Sequence, residues 1–241
     1  MPGEKARQCK DNLFFVAGRH PYRAALALPT TEEELNENFS DLVSRLPEGD
    51  GTEAWTRFFA DADAAYTSSS GTSFNFQDIN RMLRSGALPT TRQEGYRRIA
   101  VKLMMGMEPQ PSDTALYRGL DRDAIPELKA LCNWVDAGGL AGGFMRYQGQ
   151  KTFQDNGFIS TSTAERGAGK LVNTKGDKGI LLLITTTAGV RGRIPASQHT
   201  SERELILAPG TRFTITGVAR GQVSGAGNKE RCRISVTASF G

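Results

Sequence analysis

Hydrophobic residues recur at helical spacing in the first half of the chain. Thr31 and Glu34 form a capping box, and hydrophobic residues then follow three and four positions apart until Pro47 ends the run. The same spacing predicts further helices over about 52–66, 76–86, 91–105 and 124–135. Residues 1–30 carry weaker signals, and we expect them to form an arm.

The second half of the chain changes to short hydrophobic runs separated by glycine and turn residues, which is typical of strands. The predicted strands are 115–117, 158–162, 180–185, 190–194, 205–208, 213–218 and 232–237. Two prolines make 108–113 a predicted loop. Helices that come first and strands that come later predict an α+β fold with an antiparallel-rich sheet.

Composition narrows the class of protein without identifying it. The 241 residues are 38% hydrophobic and 23% charged, which suits one globular core, and both tryptophans, Trp55 and Trp134, are expected in it. The 30 basic and 26 acidic residues are mixed along the chain, so the net charge of +4 forms no dense basic stripe. We therefore expect no nucleic-acid partner, and a monomer.

Cysteine, histidine and hydropathy patterns predict several absences. Three cysteines do not make a disulfide framework, and with two histidines they form no zinc-binding motif, so we expect no metal. The longest apolar run, Ile180–Ile184, is far too short to span a membrane. The apolar patch Leu13–Ala17 is too short for the core of a secretory signal.

Three short motifs follow one another along the chain. They are Tyr117-Arg118-Gly119, Ser160-Thr161-Ser162 and Glu202-Arg203-Glu204. Each alone is a weak signal, because such triplets are commonly a strand end, an exposed strand edge and a pair of solvated carboxylates. Their order and their surroundings carry more information than any one of them.

Together these motifs resemble the arginine–serine–glutamate class of mono-ADP-ribosyltransferases, which includes cholera toxin and the ecto-transferases. The resemblance extends to 79–84 (INRMLR), 153–162 (FQDNGFISTS) and 204–213 (ELILAPGTRF), and it covers roughly 55–240. It implies N-terminal helices followed by a split β-sheet core. Residues 51–241 would form the catalytic domain, and 1–50 an N-terminal arm and helix that leads to a partner.

The resemblance assigns NAD+ as the substrate and gives several residues a role in binding it. Arg118 would bind phosphate through its planar fork of donors, and the backbone of Gly119 would approach the nicotinamide amide. Ser160 would hold the nicotinamide ribose and orient the catalytic carboxylate, while Thr161 and Ser162 support the strand. Period-two alternation places Ser160 and Ser162 on one face and Thr161 on the other.

Further cofactor contacts are implied outside the strands. Asn80 and Arg84 are four positions apart on one helix face, and they would contact the phosphates or the adenosine side. Arg166 is a further candidate for a phosphate ligand. It falls in 163–169, which we expect to be a glycine-bearing loop that closes over NAD+.

Glu204 is the expected essential catalytic residue. Loss of nicotinamide leaves an oxocarbenium-like ribosyl cation, which a carboxylate that grips the ribose 2′-hydroxyl stabilises. Glu202 would orient the acceptor side chain or take its proton, and a glutamate at this position favours arginine as the acceptor. His199, in the acceptor loop 195–201, could serve a hydroxyl acceptor instead.

Four alternatives for function and setting stay open at this stage. The acceptor could be a threonine or another hydroxyl, for example on ubiquitin, or it could be water, which would make the chain an NAD+ glycohydrolase. The chain could also be a non-catalytic NAD-binding module. We expect secretion without a signal peptide, by a specialised route into a host cell where a target protein is modified; action in the producing cell's own cytoplasm is the alternative.

Overall fold

Helices form the first part of the chain in the computed structural model, which describes residues 3–67, 74–87, 93–139, 144–146, 151–196, 203–227 and 230–240. The helices are α1 (Glu4–Gly18), α2 (Glu32–Asn38), α3 (Ser40–Val43), α4 (Thr52–Thr67), α5 (Phe76–Ser85), α6 (Gln93–Met105), α7 (Pro126–Trp134) and α8 (Glu165–Thr174). Side chains cap the first turns of two of them. Thr31 accepts a hydrogen bond from the Glu34 amide at α2, and Asn75 accepts one from the Asp78 amide at α5.

Strands form most of the second part and join in one sheet. They are β1 (Glu108–Pro109), β2 (Ala115–Asp121), β3 (Phe144–Arg146), β4 (Thr152–Asp155), β5 (Ile159–Ser162), β6 (Gly179–Thr186), β7 (Arg191–Arg193), β8 (Glu204–Leu207), β9 (Thr211–Gln222) and β10 (Glu230–Ser239). Their order is β1-β7-β8-β5-β2-β6-β10-β9-β3, with β4 also paired to β9. Among the described pairs, β6 with β10 is parallel and the others are antiparallel.

Two hydrophobic cores lie on opposite faces of β5 and β8. The helical core holds α1, α4 and α6 together with Phe158 and Ile206. The second core packs α7 against the sheet and includes Ile159 and Leu207. Because successive strand residues face opposite sides, β5 and β8 join the helical layer to the rest of the sheet.

The N-terminal segment is part of the helical core. In α1, Leu13 and Val16 are fully buried, and Leu35 and Phe39 of the next segment are buried beside them. Residues 3–43 therefore contribute to the folded core that also contains α4–α6. A role for this segment in selecting a partner stays a prediction.

The structure corrects four local predictions. The helix predicted after Thr31 breaks at Phe39 (φ −140°), between α2 and α3, and 108–113 contributes the short strand β1. The predicted loop 163–169 is largely helical, because buried small residues in 167–169 let α8 pack closely on the sheet. Trp134 is 40% exposed and lies outside the core, whereas Trp55 is buried as expected.

The fold contains one disulfide that the cysteine pattern did not predict. Cys132 of α7 and Cys232 of β10 are bonded, with their Cα atoms 5.9 Å apart. Spacing along the chain concealed this pair, because 100 positions separate residues that only the fold brings together. Cys9 is a free, buried cysteine, and burial raises the pKa of its thiol to about 11.

No helix in the described ranges is both long and apolar enough to cross a membrane. Within those same ranges, no group of three or more His, Cys, Asp or Glu side chains is placed to hold a metal ion.

Reduction of the Cys132–Cys232 bond should destabilise the protein without changing its fold. A crosslink across a long loop restricts the unfolded chain, and losing it costs about 2–4 kcal/mol. For a protein of this size the melting temperature should fall by roughly 10 °C when a reductant is added. The Cys132→Ser/Cys232→Ser double variant should melt at the lower temperature with or without reductant, as measured by circular dichroism. Equal melting temperatures for the oxidised and reduced wild type would contradict this.

Candidate functional site

Tyr66 joins helix α4 to the serine motif on β5. Its hydroxyl lies 3.1 Å from Ser160 Oγ, and the ring is buried against Phe158. Burial raises the pKa of Tyr66 to about 12; the hydrogen bond with Ser160 lowers it, the charge of Glu204 raises it and that of Arg118 lowers it. The hydroxyl of Tyr66 is therefore neutral at physiological pH. Strand pairing brings the three predicted motifs together beside it, because Ser162 pairs with Tyr117 on one side and with Glu204 on the other.

The strand register places Glu204 beside the serine motif. Glu204, the first residue of β8, pairs with Ser162 of β5, and Ser160 pairs with Ile206 two positions further along. Since cross-strand partners share a face, Ser160, Ser162 and Glu204 lie on one side of the sheet. This is the alternation that the sequence predicts.

The other two residues of this strand support the backbone. The Thr161 hydroxyl donates to the Leu205 carbonyl at 2.6 Å, on the face opposite Ser160. Ser162 Oγ donates to the Ala164 carbonyl and accepts from the Ala164 amide, which fixes the turn into α8. These contacts stabilise the strand and the turn after it, and a role of Thr161 or Ser162 in binding NAD+ stays a prediction.

Arg118 is a largely buried cation with an incomplete set of partners. Its Nη1 atom is buried and has no hydrogen-bond partner in the described part of the chain, while Nη2 lies 3.9 Å from Asp155 Oδ2. Burial lowers the pKa of Arg118, and the charge of Asp155 opposes that shift without cancelling it. A buried donor left without a partner favours an anionic ligand at this position.

Asp155 brings the second predicted arginine to the same place. Arg84 donates from Nε and Nη2 to the two carboxylate oxygens of Asp155, at 2.7 and 2.9 Å. Burial works against the charge of Arg84, but the hydrogen bonds and charge of Asp155 outweigh it and raise the pKa of Arg84. Two guanidinium groups thus share one carboxylate, which leaves a net positive charge.

Asn80 and Gly157 form the contact between α5 and the turn before β5. Asn80 Oδ1 accepts a hydrogen bond from the Phe158 amide at 2.8 Å. A side chain on Gly157 would place its Cβ 2.8 Å from that oxygen and 3.0 Å from Arg84 Nε, so a larger residue would displace these two side chains. Asn80 and Arg84 therefore face the same turn, as their spacing predicts, and a direct contact between Asn80 and a ligand stays a prediction.

An open cleft of about 880 Å³ begins at this charge cluster. Arg84, Arg118, Asp155 and Arg212 line it, together with the first turn of α7 at Pro126. Its volume is within the range of small-molecule sites. The arginines and the amino end of a helix both favour a negatively charged ligand.

Gly119 and Arg166 lie where helix α8 meets β2. A Cβ on Gly119 would be 2.3 Å from the Ala168 carbonyl, so this glycine allows α8 to approach the strand. The predicted contact of Gly119 with nicotinamide stays a prediction. Arg166 is exposed on the first turn of α8, which packs on the Tyr117 side of β2, opposite to Arg118. Arg166 therefore lies on a helix and not in the predicted loop, and its contact with phosphate stays a prediction.

Two predicted acceptor residues, Glu202 and His199, lie outside the described residues. Arg203, the residue after Glu202, has a φ of 44°, which is in the left-handed region. The Thr163 amide donates to the Arg203 carbonyl at 3.0 Å, so the end of β5 fixes the backbone just before Glu204.

His20 connects the N-terminal segment to the same turn. Its Nδ1 accepts from the Tyr22 amide at 3.2 Å, so Nε2 carries the proton and donates to the Asn156 carbonyl at 3.0 Å. Burial lowers the pKa of His20, although the Asn156 contact opposes that shift. Neither His20 nor Tyr66 belongs to a motif. An amphipathic helical pattern identifies Tyr66 only as a core residue.

Comparison with known proteins supports the fold. No protein-family model matches the sequence, and no curated protein matches it significantly. Among solved structures, the ADP-ribosyltransferase Vis in complex with an inhibitor has a TM-score of 0.53 at 18% identity, over 91% of this chain and 90% of that one. C3stau2 from S. aureus with NAD has a TM-score of 0.51 at 16% identity, over 88% of this chain and 97% of that one.

A third solved structure is considerably longer than this chain. The ADP-ribosylating toxin BECa of a C. perfringens binary enterotoxin, crystallised with NADH, has a TM-score of 0.51 at 16% identity. The match covers 85% of this chain and 46% of BECa, so the chain spans about half of that protein's length. These similarities show that the chain has the ADP-ribosyltransferase fold, and they confirm the predicted α+β class.

Acid should destabilise the protein through His20. The folded state lowers the pKa of His20, so the unfolded chain binds a proton more readily below about pH 6.5. The stabilisation from neutral His20 is complete above that pH, and it is lost as the pH falls from there through the lower pKa of the folded state. Thermal melts at pH 7.5 and 5.5 should show a larger drop for the wild type than for His20→Gln, which does not titrate. Parallel drops in the two proteins would refute this assignment.

Proposed function

We propose that this chain is a mono-ADP-ribosyltransferase, which cleaves NAD+ at the bond between nicotinamide and ribose and transfers ADP-ribose to a side chain of another protein. The observation that carries the proposal is the surroundings of the Tyr66 hydroxyl. That group contacts Ser160 of β5, and β5 pairs through Ser162 with Tyr117 of the arginine motif and with Glu204. The three motifs are far apart in sequence, and the fold brings them to one place.

The diphosphate of NAD+ is the ligand that best suits the charge cluster. Arg118 has an unpaired buried donor, and Arg84 shares Asp155 with it. In our proposal, phosphate oxygens accept from Arg118 and Arg84, and the rest of the dinucleotide lies in the adjoining cleft. Asp155 holds both guanidinium groups beside its carboxylate and so orients them.

Glu204 carries the proposed chemistry at the ribose. When the bond between ribose C1′ and the nicotinamide nitrogen breaks, the electron pair leaves with nicotinamide and the ribose becomes a cation. A fixed carboxylate that bonds the ribose 2′-hydroxyl stabilises this cation more than the ground state. Ser160, held by Tyr66, would orient the ribose against Glu204.

The acceptor completes the reaction at C1′. Its nucleophilic atom forms the new bond and gives up a proton, which Glu202 is placed in sequence to receive. Glu202 at the first position of the Glu-x-Glu motif supports arginine as the acceptor. A hydroxyl acceptor, with His199 as a helper and ubiquitin among the candidate targets, is the second possibility, and water as acceptor would make the chain a glycohydrolase.

The setting is also a proposal. BECa is an ADP-ribosylating toxin of a binary enterotoxin. The likeness to it supports the proposal that this chain modifies a host protein after delivery by a specialised route. Action in the producing cell's cytoplasm is the alternative.

Glu204→Gln should abolish most NAD+ cleavage while leaving the fold intact. Removing a preorganised charge from the ribosyl cation should lower nicotinamide release by roughly two to three orders of magnitude. Release is measured by chromatography of purified protein incubated with NAD+. Transfer is measured by mass spectrometry of a eukaryotic cell lysate, where fragmentation distinguishes arginine from hydroxyl acceptors.

Glu230→Gln is a matched control, since Glu230 is likewise the first residue of a strand, β10, and is exposed. Equal release by both variants would refute the role of Glu204. Release without labelled protein would mean that the chain is a glycohydrolase or that the lysate lacks a partner it needs.

Tyr66→Phe should slow nicotinamide release by about three- to tenfold, because the lost hydrogen bond to Ser160 is of the usual strength. Ser160→Ala should slow it further, since it also removes the proposed ribose contact. If Tyr66 acts through Ser160, the double variant should be no slower than Ser160→Ala alone. Multiplied effects in the double variant would show that Tyr66 acts independently.

A further inference from the structure

A second residue of α4, Asp63, forms a buried ion pair with the end of β7. Arg193 donates from Nε to Asp63 Oδ1 at 2.9 Å and from Nη2 to Oδ2 at 2.6 Å. The side chain of Asp63 is 0% exposed and that of Arg193 is 12% exposed. This pair lies outside the group of residues proposed to cleave NAD+.

The same carboxylate holds the chain that leaves β7. Asp63 Oδ2 also accepts a hydrogen bond from the Ala196 amide at 3.1 Å. Arg193 is held from two further sides, since its guanidinium lies 4.0 Å from the centre of the Phe59 ring and a Cβ on Gly106 would be 2.5 Å from Nη1. Asp63 therefore sets the path of 194–196.

Strand register places this segment at the catalytic end of the sheet. Gly192 pairs with Leu207 and Arg193 with Ile206, in antiparallel order. The chain beyond Arg193 therefore runs toward the end of β8 that begins with Glu204. Ile194, the first residue beyond β7, is 63% exposed although it is a large hydrophobic residue.

Stability alone is a weak reason for this ion pair. Desolvating two charges costs about as much as their attraction returns, and hydrophobic residues of similar volume commonly serve as well. A hydrophobic side chain at position 63 could not accept the Ala196 hydrogen bond. A role in positioning 194–196 explains why residue 63 is a carboxylate, and why that carboxylate bonds the Ala196 amide as well as Arg193.

We infer that Asp63 is a positioning residue for the acceptor protein: through Arg193 and Ala196 it holds 194–196 as a contact surface beside Glu204. This inference rests on the proposed function and deepens it. Tyr66, one helical turn further along α4, serves cleavage of NAD+, whereas Asp63 serves transfer to protein. The two steps should therefore separate on mutation.

The test compares cleavage and transfer in the full-length chain. Nicotinamide release is measured without an acceptor, and labelled ADP-ribose is measured on the proteins of a eukaryotic cell lysate. Asp63→Asn should lower the labelling of protein roughly tenfold and change nicotinamide release less than twofold, because a small displacement of a substrate contact is costly for transfer alone. Ile194→Ser, an exposed position that cannot disturb the core, should act in the same direction.

Asp61→Asn is the matched control, because Asp61 lies on the same helix and pairs with Lys102 while its own side chain is 65% exposed. It should leave both readouts unchanged. Hydrogen exchange adds a readout that does not depend on catalysis. The amide of Ala196 should be protected in the wild type and in Asp61→Asn, and it should exchange faster in Asp63→Asn.

The outcomes separate this inference from the proposed function. Equal losses of cleavage and transfer in Asp63→Asn, or unchanged transfer in both Asp63→Asn and Ile194→Ser, would overturn it. An unprotected Ala196 amide in the wild type would overturn it as well, whatever the activity. A wild-type protein that releases no nicotinamide would instead refute the proposed function, and the acceptor role with it. Hydrogen exchange would still show in that case whether Asp63 holds the Ala196 amide.

Discussion

The site depends on one residue, Asp155, whose carboxylate and backbone carbonyl together bind four parts of the fold. Asp155 accepts two hydrogen bonds from Arg84, lies 3.9 Å from Arg118 and accepts the Gly157 amide, while its backbone carbonyl accepts the Gly210 amide. A carboxylate that is only 15% exposed costs free energy unless it is paired and hydrogen-bonded. Because those partners come from α5, β2, its own turn and the turn before β9, satisfying Asp155 also brings the two arginines together. The cluster keeps a net positive charge, and so it remains suited to an anion.

Helix α4 has a comparable role on the other side of the site. Tyr66 and Asp63 are three positions apart, so both project from one face of the helix. Tyr66 reaches Ser160 on β5, and Asp63 reaches Arg193 and Ala196 at the end of β7. The helical layer is therefore more than a cover for the hydrophobic core. It holds two strand ends at the positions on which the proposed cleavage and transfer depend.

The sequence predicted the type of most elements and missed several of their partners. Hydrophobic spacing identified α4, α5 and α6 and the strands β5, β6 and β8, because these segments bury one clear face or run. It missed α8, because the small residues in 167–169 are typical of a loop in sequence and are helical here where they pack on the sheet. It also missed α1. The Cys132–Cys232 bond was invisible because its spacing of 100 positions matches no local pattern.

The sequence by itself determined the α+β class, the order of the motifs and the alternation that puts Ser160 and Ser162 on one face. These properties follow from side-chain chemistry and backbone period, which neighbouring residues specify. Only the tertiary structure decided that Tyr66 meets Ser160, that Asp155 joins Arg84 to Arg118 and that Asp63 pairs with Arg193. Those contacts join residues of different elements, and the hydrogen-bonded pairs among them are 94, 71 and 130 positions apart. Their geometry depends on strand register and helix packing. Both are set by the burial of side chains along the whole chain, so no local periodicity in the sequence reports them.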